Sequence, residues 1–559
     1  MIRFRKKRKY IAELHPDEIL LDAHNLPGFD RQQFEGSIER PIARRSFSLL
    51  FSVMVIVSVF FVGRLLYLQG IKHNFYLTKS DQNSLDHVPI VADRGIIYDR
   101  NGVELAWNTQ NPAGGPSLRT YIAAEGFANL LGYVSYPAKD AKGKFWQEEI
   151  IGKDGIEQQF NKDISGENGT TLIETNVSGD IIAQNMIEEP RQGNNLSLSI
   201  DARVQEALYN GIKELAERSG YVGGAGAVMN VQTGELLAMT TYPQYDQSVI
   251  AEGKDTAMIN HYIQSPSHYF LNRMTEGLYT PGSIVKPFLS LAALHEGIIG
   301  EYKTVLSTGT LKVPNPYNPS QFTVFKDNAA HGLVDMRHAL AVSSNIYFYY
   351  ISGGFGSQKG LGINTIEKYA HLFGLGDATG ITFTKELAGT IPSIAWKAKR
   401  FPGDPWRLGD TYNTSIGQYG FQVTPIQMLR AVGGVASGSL VTPTITKVTE
   451  GESVAKTTLP FTDHEYQVVR EGMHLVVTEG TAQVLGTTSI TVAAKTGTAQ
   501  IKNNTRVNSW AIGFFPYDKP KFAFVTLMEN GPKVSSGATH AFAPVLRLFE
   551  STPDLLSQL

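Results

Sequence analysis

Residues 279–288 read YTPGSIVKPF and carry the strongest chemical signal in this chain of 559 residues. A Pro-Gly turn precedes an apolar run that continues to Leu294, which predicts a helix that begins near Ser283. Because residues three apart share a helical face, Ser283 and Lys286 would lie side by side. A lysine whose ammonium is destabilised by burial or by a nearby cation can take the proton of a serine hydroxyl. The two residues are therefore a candidate nucleophile and base.

Two further strings follow downstream, SSN at residues 343–345 and KTGT at residues 495–498. The second lies in the β-branched and small-residue run 490–499, which predicts a strand with Thr496 and Thr498 on one face. Taken singly, each string has an ordinary structural explanation: a helix cap, a turn, or an edge strand protected by lysine. The three in this order and spacing indicate one catalytic cleft.

The order Ser-x-x-Lys, Ser-x-Asn, Lys-Thr-Gly resembles the motif set of penicillin-binding proteins and class A β-lactamases. The resemblance implies that Ser283 is the nucleophile and Lys286 its base, and that Lys495 points toward Ser343. It also implies that Ser343 relays a proton and that the side-chain amide of Asn345 binds the peptide. Thr496, Gly497 and Thr498 would form the substrate-binding strand edge. The backbone N–H groups of Ser283 and Thr498 would form the oxyanion hole.

Composition excludes several other classes of protein. The chain has no cysteine, which rules out disulfides, thiolate metal sites and cysteine nucleophiles. Its net charge of −2 argues against nucleic acid as a principal partner. No His-Glu-x-x-His string occurs among the 13 histidines, and His331 fits a packing or capping role. We predict no metal and no cofactor.

The N-terminal region predicts one membrane-spanning helix. A basic run over residues 3–9 and further arginines at 40, 44 and 45 precede an apolar stretch that extends to Leu68. This arrangement follows the positive-inside rule and reaches the roughly 20 residues that a bilayer span needs. A cleaved signal peptide is the competing interpretation, but the basic region is long and no Ala-x-Ala-like site follows. We expect a cytoplasmic tail at 1–45, an anchor at 46–68 and everything after Gln69 outside the cytoplasm.

A small β-rich pedestal is predicted for residues 69–195. Residues 94–106, RGIIYDRNGVELA, have the form of two strands around an Asn-Gly turn. This stretch and GIEQQF at 155–160 resemble the pedestal of class B penicillin-binding proteins. The short Gly- and Pro-rich chain between them stands where relatives commonly have a head subdomain.

The remainder, residues 196–559, predicts an α+β transpeptidase domain with a central antiparallel sheet flanked by helices. Asp201 is placed to cap a helix that starts near Ala202. Two strand-like runs around Gln232-Thr233-Gly234 predict a hairpin ahead of the nucleophile. The closing strands are expected at residues 509–515 and 521–529.

Within class B the chain resembles the elongation-type subgroup, penicillin-binding protein 2. The resemblance is carried by GTIPSIAWK at 389–397, WRLGDTYNTSIGQ at 406–418 and TPIQ at 424–427. Two positions depart from it: Tyr419 stands where relatives usually have glycine, and Ser344 where they often have cysteine or aspartate.

The resemblance implies a peptidoglycan D,D-transpeptidase that cross-links stem peptides through a Ser283 acyl-enzyme and is acylated by β-lactams. It also implies a membrane-embedded glycan polymerase of the rod-shape and division family as partner, since the chain before the pedestal is too short for a glycosyltransferase domain. A division-type transpeptidase, a carboxypeptidase, and a β-lactam sensor or non-catalytic scaffold remain alternatives. A β-lactamase is disfavoured because no Glu-x-x-Leu-Asn string lies between Asn345 and Lys495.

Overall fold

The computed structural model describes residues 44–81, 85–141, 143–175, 181–315, 318–449, 451, 453–501, 505–534 and 536–557. The predicted tail, including its basic run at residues 3–9, lies almost entirely outside the described residues. The described chain divides into two compact units. The first contains the residues up to Leu85 and those between Glu174 and Ile182, and the second contains the rest.

The first unit is dominated by one apolar helix. Helix α1 (Arg44–Leu66) continues through a π-helical segment (Tyr67–Ile71) and is followed by α2 (His73–Asp81). The 28 residues of Arg44–Ile71 are long and apolar enough to cross a membrane, and the predicted anchor at 46–68 lies within them. No residue of α1 is buried, as expected for a helix that is apolar all round and suited to lipid.

Short strands and helices follow along the chain. In order they are β1 (Leu85–Ile90), β2 (Ile97–Tyr98), β3 (Glu104–Thr109), β4 (Leu118–Tyr121), α3 (Ala128–Leu131), β5 (Val134–Ser135), β6 (Ala138–Lys139), β7 (Phe145–Gln147), β8 (Ile151–Gly152), α4 (Gly155–Gln159), α5 (Asn161–Ile164), β9 (Gly169–Thr175), β10 (Ile181–Glu188) and β11 (Leu196–Ser197). The strands form two small sheets, β1-β9-β10 and β11-β2-β3-β4, and two two-stranded ribbons, β5-β8 and β6-β7.

The predicted hairpin at residues 94–106 is confirmed. Strands β2 and β3 pair antiparallel, with Ile97 opposite Ala106. The carboxylate of Asp99 accepts the N–H groups of Asn101 and Val103 at 2.7 and 2.8 Å, and Gly102 takes the positive φ that the turn needs.

The two pedestal motifs of the sequence meet at a buried charge network. The Glu157 carboxylate accepts hydrogen bonds from Arg94 Nε at 2.9 Å and from Arg119 Nε at 2.6 Å, and all three side chains are fully buried. A buried carboxylate held by two guanidinium groups fixes α4 against the strands around it.

The remaining elements form the larger α+β domain. In chain order they are α6 (Ala202–Ser219), β12 (Gly223–Asn230), β13 (Leu236–Tyr242), α7 (Gln247–Glu252), α8 (Thr256–Gln264), α9 (Lys286–His295), β14 (Val305–Ser307), β15 (Thr310–Asn315), β16 (Asn318–Lys326), β17 (Gly332–Val334), α10 (Met336–Ala341), α11 (Asn345–Gly353), α12 (Ile363–Leu372), α13 (Ile394–Arg400), α14 (Leu408–Ser415), α15 (Pro425–Ser437), β18 (Ser439–Val441), β19 (Lys456–Thr458), α16 (Asp463–Thr478), β20 (Ala493–Ile501), β21 (Arg506–Phe515), β22 (Phe522–Gly531), α17 (Ala538–Ser551) and α18 (Asp554–Ser557).

A five-stranded sheet in the order β13-β12-β22-β21-β20 is the centre of this domain, and every neighbouring pair is antiparallel. The predicted α+β class, the hairpin β12-β13 and the closing strands are confirmed. Asp201 caps α6 as predicted, because its side chain accepts the N–H of Arg203. The predicted strand at 490–499 begins later, at Ala493.

Helices cover both faces of the sheet because strand side chains alternate between its two sides. In β22, Phe524 packs with α6 and α17 in one apolar cluster, whereas its neighbour Val525 packs with α15 in the other. Strand β20 is left at one edge of the sheet, where the three sequence motifs come together.

Candidate active site

The predicted nucleophile lies on a tight turn that opens into a buried helix. A 3₁₀ turn (Gly282–Val285) carries Ser283 and runs directly into α9, whose first residue is Lys286. Gly282 has a φ of +62°, a conformation that a residue with a Cβ rarely adopts. The Ser283 side chain is half-buried and lines a cleft of about 840 Å³. The prediction of a helix start near Ser283 is confirmed, with the serine in the turn before the regular helix.

The Ser343-Ser344-Asn345 string forms the loop between α10 and α11. Ser343 has a φ of +58°, so its backbone is held in the left-handed region, and Ser344 caps α11 by accepting the N–H of Tyr347. The Lys286 ammonium reaches this loop. It donates to the Ser343 carbonyl at 2.8 Å, to the Ser343 hydroxyl at 3.2 Å and to Asn345 Oδ1 at 2.8 Å.

The third motif supplies a second buried lysine. Lys495 on β20 donates to the Ser343 hydroxyl at 2.9 Å and to the carbonyl of Thr496 at 3.0 Å. The Ser343 hydroxyl therefore lies between two ammonium groups, and both lysines are fully buried. The cleft brings together all five side chains to which the sequence assigned catalytic roles.

Burial shapes the protonation of both lysines. Desolvation lowers the pKa of Lys495 to about 7. Desolvation also lowers the pKa of Lys286 well below its ordinary value, and the Lys495 charge lowers it further, while the Asp327 carboxylate opposes the shift. A lysine with such a depressed pKa can be neutral near physiological pH and can then accept a proton.

Strand β20 offers an open edge to the cleft. Residues alternate along it, so that Lys495 and Gly497 are buried while Thr496 is half-buried and Thr498 is exposed. The strand pairs with β21 on one side only, which leaves the other edge of the sheet able to accept an extended peptide. Gly497 itself packs against the nucleophile turn. A Cβ at this position would lie 2.9 Å from both Ile284 Cγ2 and the Pro281 carbonyl, so glycine is required for packing against the nucleophile turn.

The two N–H groups predicted to form the oxyanion hole belong to segments that adjoin. A Cβ built on Gly282, which precedes Ser283, would lie 3.3 Å from the carbonyl of Thr498. The turn that carries Ser283 and the strand that carries Thr498 are therefore in close contact, as the predicted oxyanion hole requires.

Sequence reasoning missed Asp327, at the end of β16. Its buried carboxylate accepts hydrogen bonds from the Ser344 hydroxyl at 2.7 Å and from the Asn345 N–H at 2.6 Å. Two more come from the Ile346 N–H at 3.1 Å and the Ser307 hydroxyl at 2.8 Å. Burial raises the pKa of Asp327, but these hydrogen bonds outweigh it and the net pKa is lowered. The carboxylate fixes the loop that presents Ser343 and Asn345.

Across the described ranges, the structure contains no group of three or more His, Asp or Glu side chains that could hold a metal ion.

The fold and the site together are those of a serine acyltransferase, with two buried lysines around the hydroxyl of Ser343 beside the edge strand of the sheet. Residues 224–547 match the penicillin binding protein transpeptidase domain, and residues 116–198 match the penicillin-binding protein dimerisation domain. The chain belongs to the penicillin-binding protein transpeptidase family. A dimerisation domain ahead of the transpeptidase domain is the arrangement of class B members, as the pedestal motifs predicted.

Individual relatives agree with this assignment. The peptidoglycan D,D-transpeptidase MrdA of Acinetobacter baumannii is 27% identical to this chain, in an alignment that covers 89% of this chain and 87% of the relative. A solved complex between penicillin-binding protein 2 and MreC from Helicobacter pylori contains a chain that matches with a TM-score of 0.67 and 26% identity, over 85% of this chain and 100% of that one. A chain of a peptidoglycan synthase complex, described as coordinating polymerization and crosslinking, matches with a TM-score of 0.70 and 25% identity, over 91% of this chain and 98% of that one.

Proposed function

We propose that this protein is an elongation-type peptidoglycan D,D-transpeptidase, with Ser283 as its acylated nucleophile. The observation that carries the proposal is the buried Lys286–Ser343–Lys495 arrangement beside a half-buried serine in the cleft. The likeness to MrdA and to penicillin-binding protein 2 supports the elongation subgroup over the division-type alternative.

In the proposed reaction, Ser283 Oγ attacks the carbonyl that precedes the terminal D-alanine of a stem peptide. Neutral Lys286 takes the hydroxyl proton, and the Ser283 and Thr498 N–H groups stabilise the oxyanion. The C–N bond to D-alanine breaks, and the leaving amine receives a proton by way of Ser343. An amine of a second stem peptide then attacks the ester, forms the new amide and returns Ser283 to its hydroxyl form.

Other residues hold the substrate in this scheme. The stem peptide lies along β20 as an added strand beside Thr496, Gly497 and Thr498, and Asn345 binds one of its backbone amides. Lys495 contributes positive charge at the relay serine. A β-lactam follows the same first step, in which the C–N bond of its ring breaks. The amine stays tethered to the acyl group, so nothing departs and the acyl group remains on Ser283.

The membrane arrangement belongs to the same proposal. The apolar helix within Arg44–Ile71 anchors the chain, the basic N-terminal residues stay inside and the catalytic domain lies outside the cytoplasmic membrane. The likeness to a synthase complex for polymerization and crosslinking supports a membrane-embedded glycan polymerase as partner. We assign the tail to 1–45, the pedestal to 69–195 and the transpeptidase domain to 196–559.

Gel detection of a fluorescent penicillin on the purified full chain tests the proposal. Ser283→Ala and Lys286→Ala should both lose the label. Ser290→Ala is the matched control, because Ser290 is a buried serine on α9 whose hydroxyl has no hydrogen-bond partner among the residues that the structure describes. Retained label in Ser283→Ala, or no label on folded wild-type protein, would overturn the assignment and favour a scaffold.

Release of D-alanine from a pentapeptide substrate, measured with and without an acceptor amine, separates the remaining alternatives. A transpeptidase forms the cross-linked product when the acceptor is present, whereas a carboxypeptidase releases D-alanine without it. Persistent penicillin label over hours would exclude a β-lactamase.

A further inference from the structure

Tyr419 lies on a loop that holds the nucleophile turn. The carbonyl of Gly417 accepts the N–H of Gly282 at 3.0 Å, and Gly282 immediately precedes Ser283. The contact is tight, since a Cβ on Gly417 would lie 2.1 Å from the Gly282 carbonyl. Further along, Val423 and Tyr279 exchange backbone hydrogen bonds. The loop therefore runs beside the residues that lead to the nucleophile.

The same loop forms one wall of the cleft. Ile416 and Gln418 line it, together with Asn413 near the end of α14 and residues of β20. A shift of this segment would move both the wall that faces the substrate and the turn that carries Ser283.

The backbone of Tyr419 has a φ of +63°, a left-handed conformation that suits glycine and that a bulky residue rarely adopts. Its ring is held between two indoles, Trp396 and Trp406, each at a ring-centroid distance of 5.7 Å and close to perpendicular. The Cβ that Gly420 lacks would meet the Trp396 indole at 2.4 Å. Aromatic packing on both sides thus maintains a conformation that the backbone alone would not favour.

Beneath the ring lies a buried ion pair that the reaction scheme does not use. The Lys397 ammonium, on a side chain that is 1% exposed, donates to Asp410 at 2.6 Å and to the Pro405 carbonyl at 2.9 Å. It lies 5.6 Å from the centre of the Tyr419 ring. Burial lowers the pKa of Lys397, but hydrogen bonds to Asp410, Tyr419 and Asp404 outweigh it and the net pKa is raised.

The phenol lies beside both charges. Burial raises the pKa of Tyr419, the Lys397 ammonium lowers it and the Asp410 carboxylate raises it. Asp410 lies in α14, the helix that leads into the loop, and Lys397 lies in α13. The three side chains therefore connect two helices to a segment that contacts the nucleophile turn.

We propose that Tyr419, with Lys397 and Asp410, is a positioning residue that fixes the 416–420 loop and thereby the placement of Ser283 for acylation. The proposal rests on the proposed function and adds a residue that none of the three motifs contains.

The test is the acylation of the full chain by a fluorescent penicillin over a range of concentrations, which separates the rate constant at saturation from the binding constant. In Tyr419→Phe the ring packing remains and the hydroxyl is lost. We expect the saturating rate to fall roughly tenfold with little change in binding, because small misplacement of a nucleophile is costly. Lys397→Met should do the same, and the double variant should be no slower than the slower single variant. Tyr419→Gly removes the cost of the left-handed backbone conformation but also loses the ring packing, so this variant should be acylated slowly.

Tyr466→Phe is the matched control, since Tyr466 is also a buried tyrosine beside a cation, with Arg470 at 5.0 Å from its ring, and its hydroxyl donates to the Gly438 carbonyl. It should lower the melting temperature without slowing acylation. Wild-type rates in Tyr419→Phe and Lys397→Met, with a lowered melting temperature, would show a merely structural role and overturn the proposal. A wild-type acylation rate in Tyr419→Gly would also overturn the proposal.

The pH profile gives a further readout. If Tyr419 only positions Ser283, Tyr419→Phe lowers the acylation rate at every pH and leaves the half-maximal pH of acylation in place. A shifted half-maximal pH in Tyr419→Phe would indicate a direct catalytic role and overturn the proposal. Absence of acylation in the wild-type protein would overturn the proposed function, and this proposal with it. Wild-type rates in the variants would overturn this proposal alone.

Discussion

The Lys495 ammonium donates a hydrogen bond of 2.9 Å to the hydroxyl of Ser343. Lys286 reaches the same oxygen from the other side at 3.2 Å. Two buried cations that share one acceptor repel each other, so the arrangement favours loss of a proton from one of them. This relationship supports the proposal that one of the two lysines serves as the base for Ser283.

The first prediction concerns pH. Acylation should rise with pH as Lys286 loses its proton, and should be half-maximal well below the ordinary pKa of lysine, because burial and Lys495 depress the pKa of Lys286. In Lys495→Met the repelling charge is gone, so the pKa of Lys286 rises and the half-maximal pH moves upward, whatever the loss in maximal rate. Acylation rates measured between about pH 5 and pH 10 check both statements. Replacing the exposed Lys519 by methionine should leave the profile in place. A downward shift in Lys495→Met would contradict the assignment of Lys286 as the base.

The second prediction concerns Asp327, which accepts four hydrogen bonds that fix the loop of Ser343 and Asn345. In Asp327→Asn the amide presents two N–H groups toward these donors, so we expect a loss of about 2–3 kcal/mol in stability and slower acylation. Because the folded-state pKa of this carboxylate is lowered, its contribution is present above the unfolded pKa of about 3.9 and is lost as pH falls through the folded value. The difference in melting temperature should therefore be largest near neutral pH and should shrink in acid.

Asp518→Asn is the control for this variant, since Asp518 is a surface carboxylate that accepts one hydroxyl from Thr491. It should change the melting temperature little. If the difference in melting temperature between wild type and Asp327→Asn stayed constant from neutral to acid pH, the carboxylate charge would not stabilise the loop.

The third prediction concerns Gly497. The methyl group of Gly497→Ala would lie 2.9 Å from Ile284 Cγ2 and from the Pro281 carbonyl, which pushes β20 away from the nucleophile turn. We expect a loss of about 1–3 kcal/mol in stability and a marked fall in acylation rate. Gly300→Ala is the matched control, because nothing lies within 4 Å of its added Cβ. Wild-type acylation in Gly497→Ala would mean that the strand and the turn can separate without cost to the reaction.

Sequence reasoning succeeded where the signal was local. The Asn-Gly turn after Asp99, the Asp201 cap and the hairpin β12-β13 each depend on residues a few positions apart, whose backbone preferences can be read directly. The catalytic side chains were recognisable because the motif order is distinctive, and the structure brings them into one cleft.

What the sequence did not reveal depends on contacts between distant segments. Asp327 stands in an unremarkable FKDNAA stretch, and only the fold brings it to the residues 343–346 that it fixes. The packing of Gly497 against Pro281 and Ile284 likewise joins segments more than two hundred positions apart. A buried aspartate among polar neighbours carries no periodic pattern, so no local rule could have found it.

The last prediction concerns the pedestal, where Glu157 is shared by Arg94 and Arg119 with all three side chains buried. In Glu157→Gln the two guanidinium groups would face each other without a counter-charge in a site that water does not reach. Breaking a buried ion pair in this way typically costs about 3–5 kcal/mol, whereas an exposed pair contributes under about 1 kcal/mol. Glu167→Gln is the matched control, since it breaks the exposed pair with Arg191, whose side chains are 74% and 80% exposed. Thermal unfolding and limited proteolysis of the pedestal should therefore separate the two variants clearly, while penicillin acylation at low temperature stays near wild type in both, because the network contacts no residue of the cleft. Equal melting temperatures for the two variants would mean that the buried network is no more stabilising than a surface pair.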